Sequence, residues 1–309
     1  MHVVTRVLVT GATGFVGRHL LARIGQGEDK IVTAGRRPPS GVDGSPDHVA
    51  IPEIGRQTDW RRALEGCDTV IHLAAQVPLR GIEQRTFDEV NDRGTEALVR
   101  QAREAGVSRF VLLSSVFAGG PVISGSVPDT PYGRSKAAAE AHVAGFAGAG
   151  RLGVSLRPPL VYGEGAKGNW ALLQRLAALP LPLPFGAVRN RRSVVSVANL
   201  ADAIAALLRH PPAEQRSGVY VVSDGLAVAL ADMLSWLRRG MGRPPRLVAV
   251  PPALLRALLL PVGGRVAESL LGDLEVDSAS FREAFGWVPP YQTEASMLEA
   301  GAMHAARHG

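Results

Sequence analysis

The stretch Arg6-Val7-Leu8-Val9-Thr10-Gly11-Ala12-Thr13-Gly14-Phe15-Val16-Gly17 decides how the rest of the chain reads. Arg6 to Thr10 is an apolar, β-branched run that predicts a buried strand, and the apolar residues of 15–24 recur at helical spacing. Three glycines, Gly11, Gly14 and Gly17, punctuate the junction as Gly-x-x-Gly-x-x-Gly. The first permits a tight turn, the second lets main chain approach a bound anion, and the third lets the helix lie close on the sheet. Unpaired N–H groups and the positive end of the helix dipole then face that anion. This arrangement suits the pyrophosphate of a dinucleotide, with Gly11, Thr13, Gly14, Phe15, Val16 and Gly17 as candidate contacts.

The alternation continues outward from this motif. Residues 30–34, 69–73, 110–113 and 154–156 read as buried strands, with helical periodicity at 60–64, 90–105 and 132–147. Strands alternating with helices imply right-handed crossovers, so the fold class is α/β, a doubly wound parallel sheet. After Arg157 the rhythm loosens into Pro- and Gly-rich stretches, with a strand-like run at 219–222 and helices at 230–237 and 253–260. The expectation is a dinucleotide-binding domain over 1–160, to which 192–222 return, and a smaller interlaced substrate lobe over 161–191 and 223–309. A ligand belongs in their shared cleft, outside the carboxyl ends of the strands.

Bulk properties exclude several classes. With 309 residues, 46% of them hydrophobic, the chain can bury a large core. The single cysteine, Cys67, has no partner for a disulfide or a zinc site, so a reducing, cytoplasmic compartment is expected and no metal. Residues 1–14 lack the pattern of a signal peptide, which places the mature start near Met1. The apolar stretch 254–262 is far shorter than the roughly 20 residues that span a bilayer; a buried helix or a wall of the substrate lobe is expected, and no membrane partner. The net charge of +6 is carried mainly by arginine, lysine occurring only at Lys30, Lys136 and Lys167. These charges are interspersed with acids and form no basic arm, so no nucleic-acid partner is expected. The absence of a Gly-x-Ser-x-Gly elbow argues against a hydrolase.

Further residues carry chemistry. The second strand ends in Ala34-Gly35-Arg36-Arg37, where an acid would bind the ribose hydroxyls of NAD. A guanidinium there pairs with a 2′-phosphate, which favours NADP and leaves NAD as the alternative. Tyr132 and Lys136 are one helical turn apart, so the ammonium is predicted to pull the phenol below its usual value of about 10. Ser114-Ser115 ends a buried strand at the same sheet edge, where a hydroxyl can hydrogen-bond a reacting oxygen. His72, at another strand end, reads as structural.

The combination of residues 10–17, His72-Leu73-Ala74-Ala75, Asn91 with Gly94-Thr95, Ser114-Ser115, and Tyr132 with Lys136 resembles the extended short-chain dehydrogenase/reductases. These are nucleotide-sugar epimerases, dehydratases and reductases. Residues 156–163, 192–204 and 285–289 agree with that resemblance. Residues 181–186, followed by 189–192, look similar to bacterial reductases of UDP-4-keto-6-deoxy-N-acetylhexosamines and to UDP-sugar 4-epimerases.

The resemblance implies a Rossmann-type sheet and an NADP or NAD cofactor along Leu73, Ala74, Ala75, Tyr132 and Lys136. It assigns Ser115 as the catalytic hydroxyl, Tyr132 as acid/base, Lys136 as its electrostatic partner and Asn91 as a helper. Asn169, Phe185 and Arg192 would contact a nucleotide-sugar substrate, UDP-linked, and a homodimer would form through helices such as 90–105 and 132–147. One departure is the short connection Val116-Phe117-Ala118-Gly119-Gly120 leading toward Tyr132, where the family has a longer, often acidic segment beside the sugar. Three readings follow: a 4-keto sugar reductase, an NAD-dependent 4-epimerase, and a dinucleotide sensor without catalysis. The complete set of Ser115, Tyr132 and Lys136 argues against the sensor.

Overall fold

The computed structural model describes residues 5–40, 46–78, 81–120, 122–127, 129–259 and 264–308. Its first half runs β1 (Arg6–Thr10), α1 (Phe15–Ile24), β2 (Lys30–Gly35), β3 (Asp47–Ala50), α2 (Arg61–Leu64) and β4 (Thr69–His72). There follow α3 (Gln84–Phe87), a wider π-helical stretch (Asp88–Arg93), α4 (Gly94–Glu104), β5 (Arg109–Leu113), β6 (Val122–Gly125), α5 (Pro131–Phe146) and β7 (Leu152–Arg157). The second half begins with β8 (Leu160–Tyr162), α6 (Asn169–Ala178), β9 (Val194–Ser196), α7 (Val197–Arg209) and β10 (Gly218–Val221). It ends with α8 (Leu230–Gly240), α9 (Pro252–Leu259), α10 (Gly264–Leu271), β11 (Leu274–Val276), α11 (Ala279–Phe285) and α12 (Thr293–His308).

Among the described residues the main sheet has seven parallel strands in the order β10-β7-β5-β4-β1-β2-β3. This is the Rossmann-type α/β fold expected from the alternation. The chain winds outward from β1 in one direction and, after crossing back, from β4 in the other. The carboxyl ends of β1 and β4, where Thr10 pairs with His72, therefore flank the switch point at which such sheets bind ligands. One face is covered by α1, α7 and α11, through Leu20, Leu21, Leu200, Ile204 and Phe281. The other is covered by α2, α4 and α5, through Ala63, Leu98, Ala139 and Val143. Burial on both faces is why the strands read as continuous apolar runs. A second core, around Trp170, Phe185, Leu234 and Met297, joins α6, α8 and α12.

Three elements differ from the sequence reading. The expected single helix over 90–105 is divided between the π-helical stretch and α4; the wide turn places the buried Asn91 facing α5. The expected buried helix over 253–260 is α9, and it is not buried: Leu255 is its anchor, while Leu254 (52%) and Leu258 (63%) face solvent. Residues 260–262 of that apolar stretch lie outside the described residues. The short connection after Ser115 contains β6, which pairs antiparallel with β11 from near the other end of the chain. Strands of three or four residues paired across such a separation leave no periodic signal.

Phe281, Phe285 and Trp287 return to the first core, against the sheet face that carries α7. Asp202 on α7 anchors this return, accepting the Trp287 indole N–H at 3.0 Å and the Arg23 guanidinium at 2.7 and 2.9 Å. Arg23 is half-exposed, so the buried indole bond carries most of the stabilisation. Asp202→Ala is expected to cost about 2 kcal/mol of stability, read as a lowered urea midpoint, and Asp202→Asn appreciably less. An unchanged midpoint in the alanine variant would show that the tie is not stabilising.

Candidate active site

Gly11 has φ +70°, the left-handed region that favours glycine, and a Cβ on it would lie 2.6 Å from the Ala74 main-chain nitrogen. A Cβ on Gly17 would lie 2.3 Å from the Gly11 carbonyl oxygen. These two glycines are therefore fixed by packing. Gly14 is different: its Cβ would meet only that same oxygen, at 3.0 Å, and the residue faces solvent beside exposed Thr13. No side chain caps the start of α1 and no acid stands in its first turn, so its N–H groups are left for an anion. Phe15 and Val16 are half-buried where the helix opens, and Leu73, Ala74 and Ala75 are half-buried beyond β4.

Between the two strand ends lies a closed polar cluster. The His72 imidazole bonds the Thr10 hydroxyl through Nδ1 at 2.7 Å and the Thr95 hydroxyl through Nε2 at 3.1 Å. Thr95 donates its own hydrogen to the Asn91 carbonyl at 2.6 Å, so the pattern is satisfied with His72 protonated on Nε2 and accepting on Nδ1. Burial, with the Lys136 charge nearby, pushes His72 down to about 3 and keeps it neutral. The Asn91 carboxamide accepts from the Gln76 N–H at 2.7 Å and donates to the Gln76 carbonyl and the Ser135 hydroxyl, each at 3.0 Å. Asn91 thus latches the segment after β4 to the helix that bears Tyr132.

That helix, α5, starts at Pro131 with the Thr130 hydroxyl accepting the Gly133 N–H at 3.0 Å. The cap places Tyr132 in the first turn and Lys136 one turn later. The tyrosine ring sits edge-on between Phe87 and Phe117, centroids 6.1 and 6.5 Å away. Burial pushes its phenol up to about 12, and a hydrogen bond with the Ser115 hydroxyl opposes this only in part. The expectation that Lys136 lowers this phenol is therefore corrected. Desolvation by burial dominates and sets the net direction upward. Lys136 is itself buried, has no hydrogen-bond acceptor among the described residues, and is pushed down to about 8 by desolvation against the opposing pull of Glu140. A buried ammonium without an acceptor, beside a glycine cradle with free N–H groups, fits the ribose and pyrophosphate of a nicotinamide dinucleotide.

Ser115 caps the short turn Val116–Ala118, accepting from the Phe117 N–H at 3.3 Å. Behind it lies a cluster that the sequence reading passed over. Glu140 accepts the Ser114 hydroxyl at 2.5 Å and both arms of Arg157, Nε at 2.8 Å and Nη2 at 2.5 Å. Its spacing of four residues after Lys136 was the available signal, but acids at that spacing are common on solvated helix faces. Arg36 and Arg37 are exposed after β2 and make no ion pair among the described residues, so both are available to a ligand.

The proposed substrate residues are placed less uniformly. Asn169 opens α6 at the surface. Phe185 is 6% exposed and packs in the second core with Trp170 and Leu183, a core aromatic. Arg192 is half-buried, donates to the Gly272 carbonyl at 2.7 Å, and is pushed down by burial although Glu268 and Asp273 oppose the shift. His304 and His308 are a His-x-x-x-His pair on α12, contrary to a reading of the histidines as lacking that spacing, and their rings stack at 4.4 Å. No group of three metal-ligating side chains occurs among the described residues.

Residues 7–223 match the NAD dependent epimerase/dehydratase family, and the chain belongs to it. The UDP-glucose 4-epimerase of Vibrio cholerae is 34% identical over 301 residues, 92% of this chain and 90% of that protein. A ceramide reductase of Caulobacter vibrioides is 32% identical over 267 residues, 81% and 75% of the respective chains. The crystal structure of UDP-N-acetylglucosamine 4-epimerase from Bacillus cereus superposes with a TM-score of 0.76 over 98% of this chain and 99% of that one, at 20% identity, which speaks for the fold. The protein is an NAD(P)-dependent enzyme of the extended short-chain dehydrogenase/reductase type. No helix among the described residues is long and apolar enough to cross a membrane.

The two kinds of glycine separate experimentally. Gly14→Val should abolish dinucleotide binding in calorimetry while the circular dichroism spectrum is kept, because the added atoms point into the cradle. Gly17→Val should instead lower the melting temperature severely, because its Cβ collides with main chain. Unchanged dinucleotide affinity in Gly14→Val would remove the cradle from the cofactor site.

Proposed function

We propose that this protein acts at C4 of a UDP-linked sugar and works as a 4-keto sugar reductase with Tyr132 as proton donor. What supports the reading is the placing of Tyr132 and Lys136 one turn apart on α5 with the buried Ser115 at the carboxyl edge of the sheet, in a chain 34% identical to a UDP-glucose 4-epimerase. Ser115 would hydrogen-bond the ketone oxygen and Tyr132 would give its proton to the alkoxide as it forms. The Lys136 ammonium would then stabilise the phenolate left behind. The cofactor, held by residues 11–17, 73–75 and Lys136, supplies the hydride when bound. Arg36 and Arg37 favour the 2′-phosphate of NADP.

The second reading is a UDP-sugar 4-epimerase with NAD, favoured by the 34% identity to the Vibrio cholerae enzyme over nearly the whole chain. There Tyr132 must first be the phenolate that takes the sugar hydroxyl proton, a form that burial disfavours until a neighbouring positive charge stabilises it. A homodimer through α4 and α5, acting in the cytoplasm, belongs to both readings. Purified protein should be assayed for bound nucleotide, for NADPH oxidation with a UDP-4-keto-6-deoxy sugar, and for interconversion of UDP-glucose and UDP-galactose. Net NADPH oxidation supports the reductase. Stoichiometric NAD retained with no net redox change supports the epimerase, and inactivity in both assays rejects the substrate class.

Tyr132→Phe keeps the ring between Phe87 and Phe117 and removes the proton. Turnover should fall by roughly 10² to 10⁴ with dinucleotide affinity nearly unchanged; wild-type turnover would mean another acid is at work. Arg36→Asp should weaken NADPH binding by about 1.5 to 3 kcal/mol while sparing NADH, measured by fluorescence titration. Equal affinity of the unmodified protein for both cofactors would remove the basis for choosing NADP.

A further inference from the structure

Glu140 is used by neither step above, yet it is 5% exposed and has hydrogen-bond partners from two strand ends. On α5 it stands one turn beyond Lys136. From the end of β5, Ser114 donates to its Oε1; from the end of β7, Arg157 grips both of its oxygens. Ser114 immediately precedes Ser115, and its own N–H is bonded to the Leu156 carbonyl at 2.7 Å, so the carboxylate closes a ring between two strand ends and the catalytic helix. Arg157 also lies under the turn after Ser115, because a Cβ on Gly120 would come within 2.5 Å of its Nη1. A single buried carboxylate therefore touches the supports of both the hydroxyl and the ammonium.

We propose that Glu140, gripped by Arg157, is a positioning residue that holds the Ser114–Ser115 strand end against α5 and sets a buried carboxylate one helical turn from the Lys136 ammonium. This rests on the reading that Ser115, Tyr132 and Lys136 form the reacting set. The titratable groups facing Lys136 are few. Tyr132 and Glu140 share its helix, His72 reaches it from β4 in neutral form, and Arg157 acts from β7 through Glu140. Around these groups Asn91 bonds Ser135, Thr95 bonds His72 and Ser114 bonds Glu140, and none of the three titrates. Burial disfavours the charged form of Lys136, and Glu140 is the one group that acts in the opposite direction. Removing its charge must therefore make Lys136 lose its proton at lower pH.

The three lysines of the chain make the test direct. Protein labelled with 13C at the lysine Cε gives three resonances, and the Lys136 signal is the one lost in Lys136→Met. In the unmodified protein it should titrate near about 8. In Glu140→Gln it should titrate about one pH unit lower or more, and Glu140→Asp should bring it back toward the unmodified value. The alkaline limb of kcat should move down in pH with it in Glu140→Gln, while KM changes little. Should Glu140→Gln not fold, Glu140→Gln combined with Arg157→Met removes the pair without leaving an unpaired buried charge; the nearer charge, Glu140, then decides, and a smaller downward shift is expected because the opposing Arg157 cation is lost with it. An unchanged Lys136 midpoint in either folded variant overturns the proposal. The measurement needs no substrate, so a shifted Lys136 in a protein inactive on sugar nucleotides would count against the proposed function and leave this inference standing.

Discussion

The structure depends on how closely α1 can approach the end of the parallel sheet. Gly17 packs against the Gly11 carbonyl so tightly that a single Cβ would stand 2.3 Å from it, and Gly11 itself abuts the main chain after β4. Only with both positions bare can the helix start directly at the switch point, its free N–H groups facing the crevice. Everything else in the cleft is arranged around that fixed edge. Larger side chains there would push α1 away from β1 and β4 and dissolve the cradle before any ligand reached it.

The second support is polar and buried. The chain from Thr10 through His72 and Thr95 to Asn91, and on to Gln76 and Ser135, is satisfied at each bond, and it links β1, β4, α4 and α5 beneath the cleft. A satisfied network of this kind fixes relative positions, whereas one missing partner would leave a buried polar group exposed to its full desolvation penalty. His72 serves here because it stays neutral, with one nitrogen donating and the other accepting.

Tyr132 and Lys136, by contrast, are held in tension with their surroundings. Burial raises the Tyr132 phenol and depresses the Lys136 ammonium, so the environment disfavours the charged form of both. Under the proposed reading, a firmly protonated phenol suits delivery to a developing alkoxide, and the Lys136 ammonium would stabilise the anion that remains. On that reading the chemistry would draw on desolvation as much as on the tyrosine-lysine pair.

The sequence by itself determined the parallel sheet, the glycine cradle, and the candidates Ser115, Tyr132 and Lys136, because each of these is local. Strand, turn and helix signals lie within a few residues, and a tyrosine four positions before a lysine shares a helix face with it whatever surrounds them. The tertiary structure decided what locality cannot carry. It set the direction in which Tyr132 titrates, since that depends on Phe87 and Phe117 closing over the ring from elsewhere in the chain. It turned Phe185 into a core residue and left Leu254 and Leu258 of α9 in solvent, since burial depends on which neighbours arrive. It paired β6 with β11, and it brought Glu140, Ser114 and Arg157 together from a helix and two strand ends. Contacts between distant segments form only when the folded core fixes their positions, and no spacing along the chain records them.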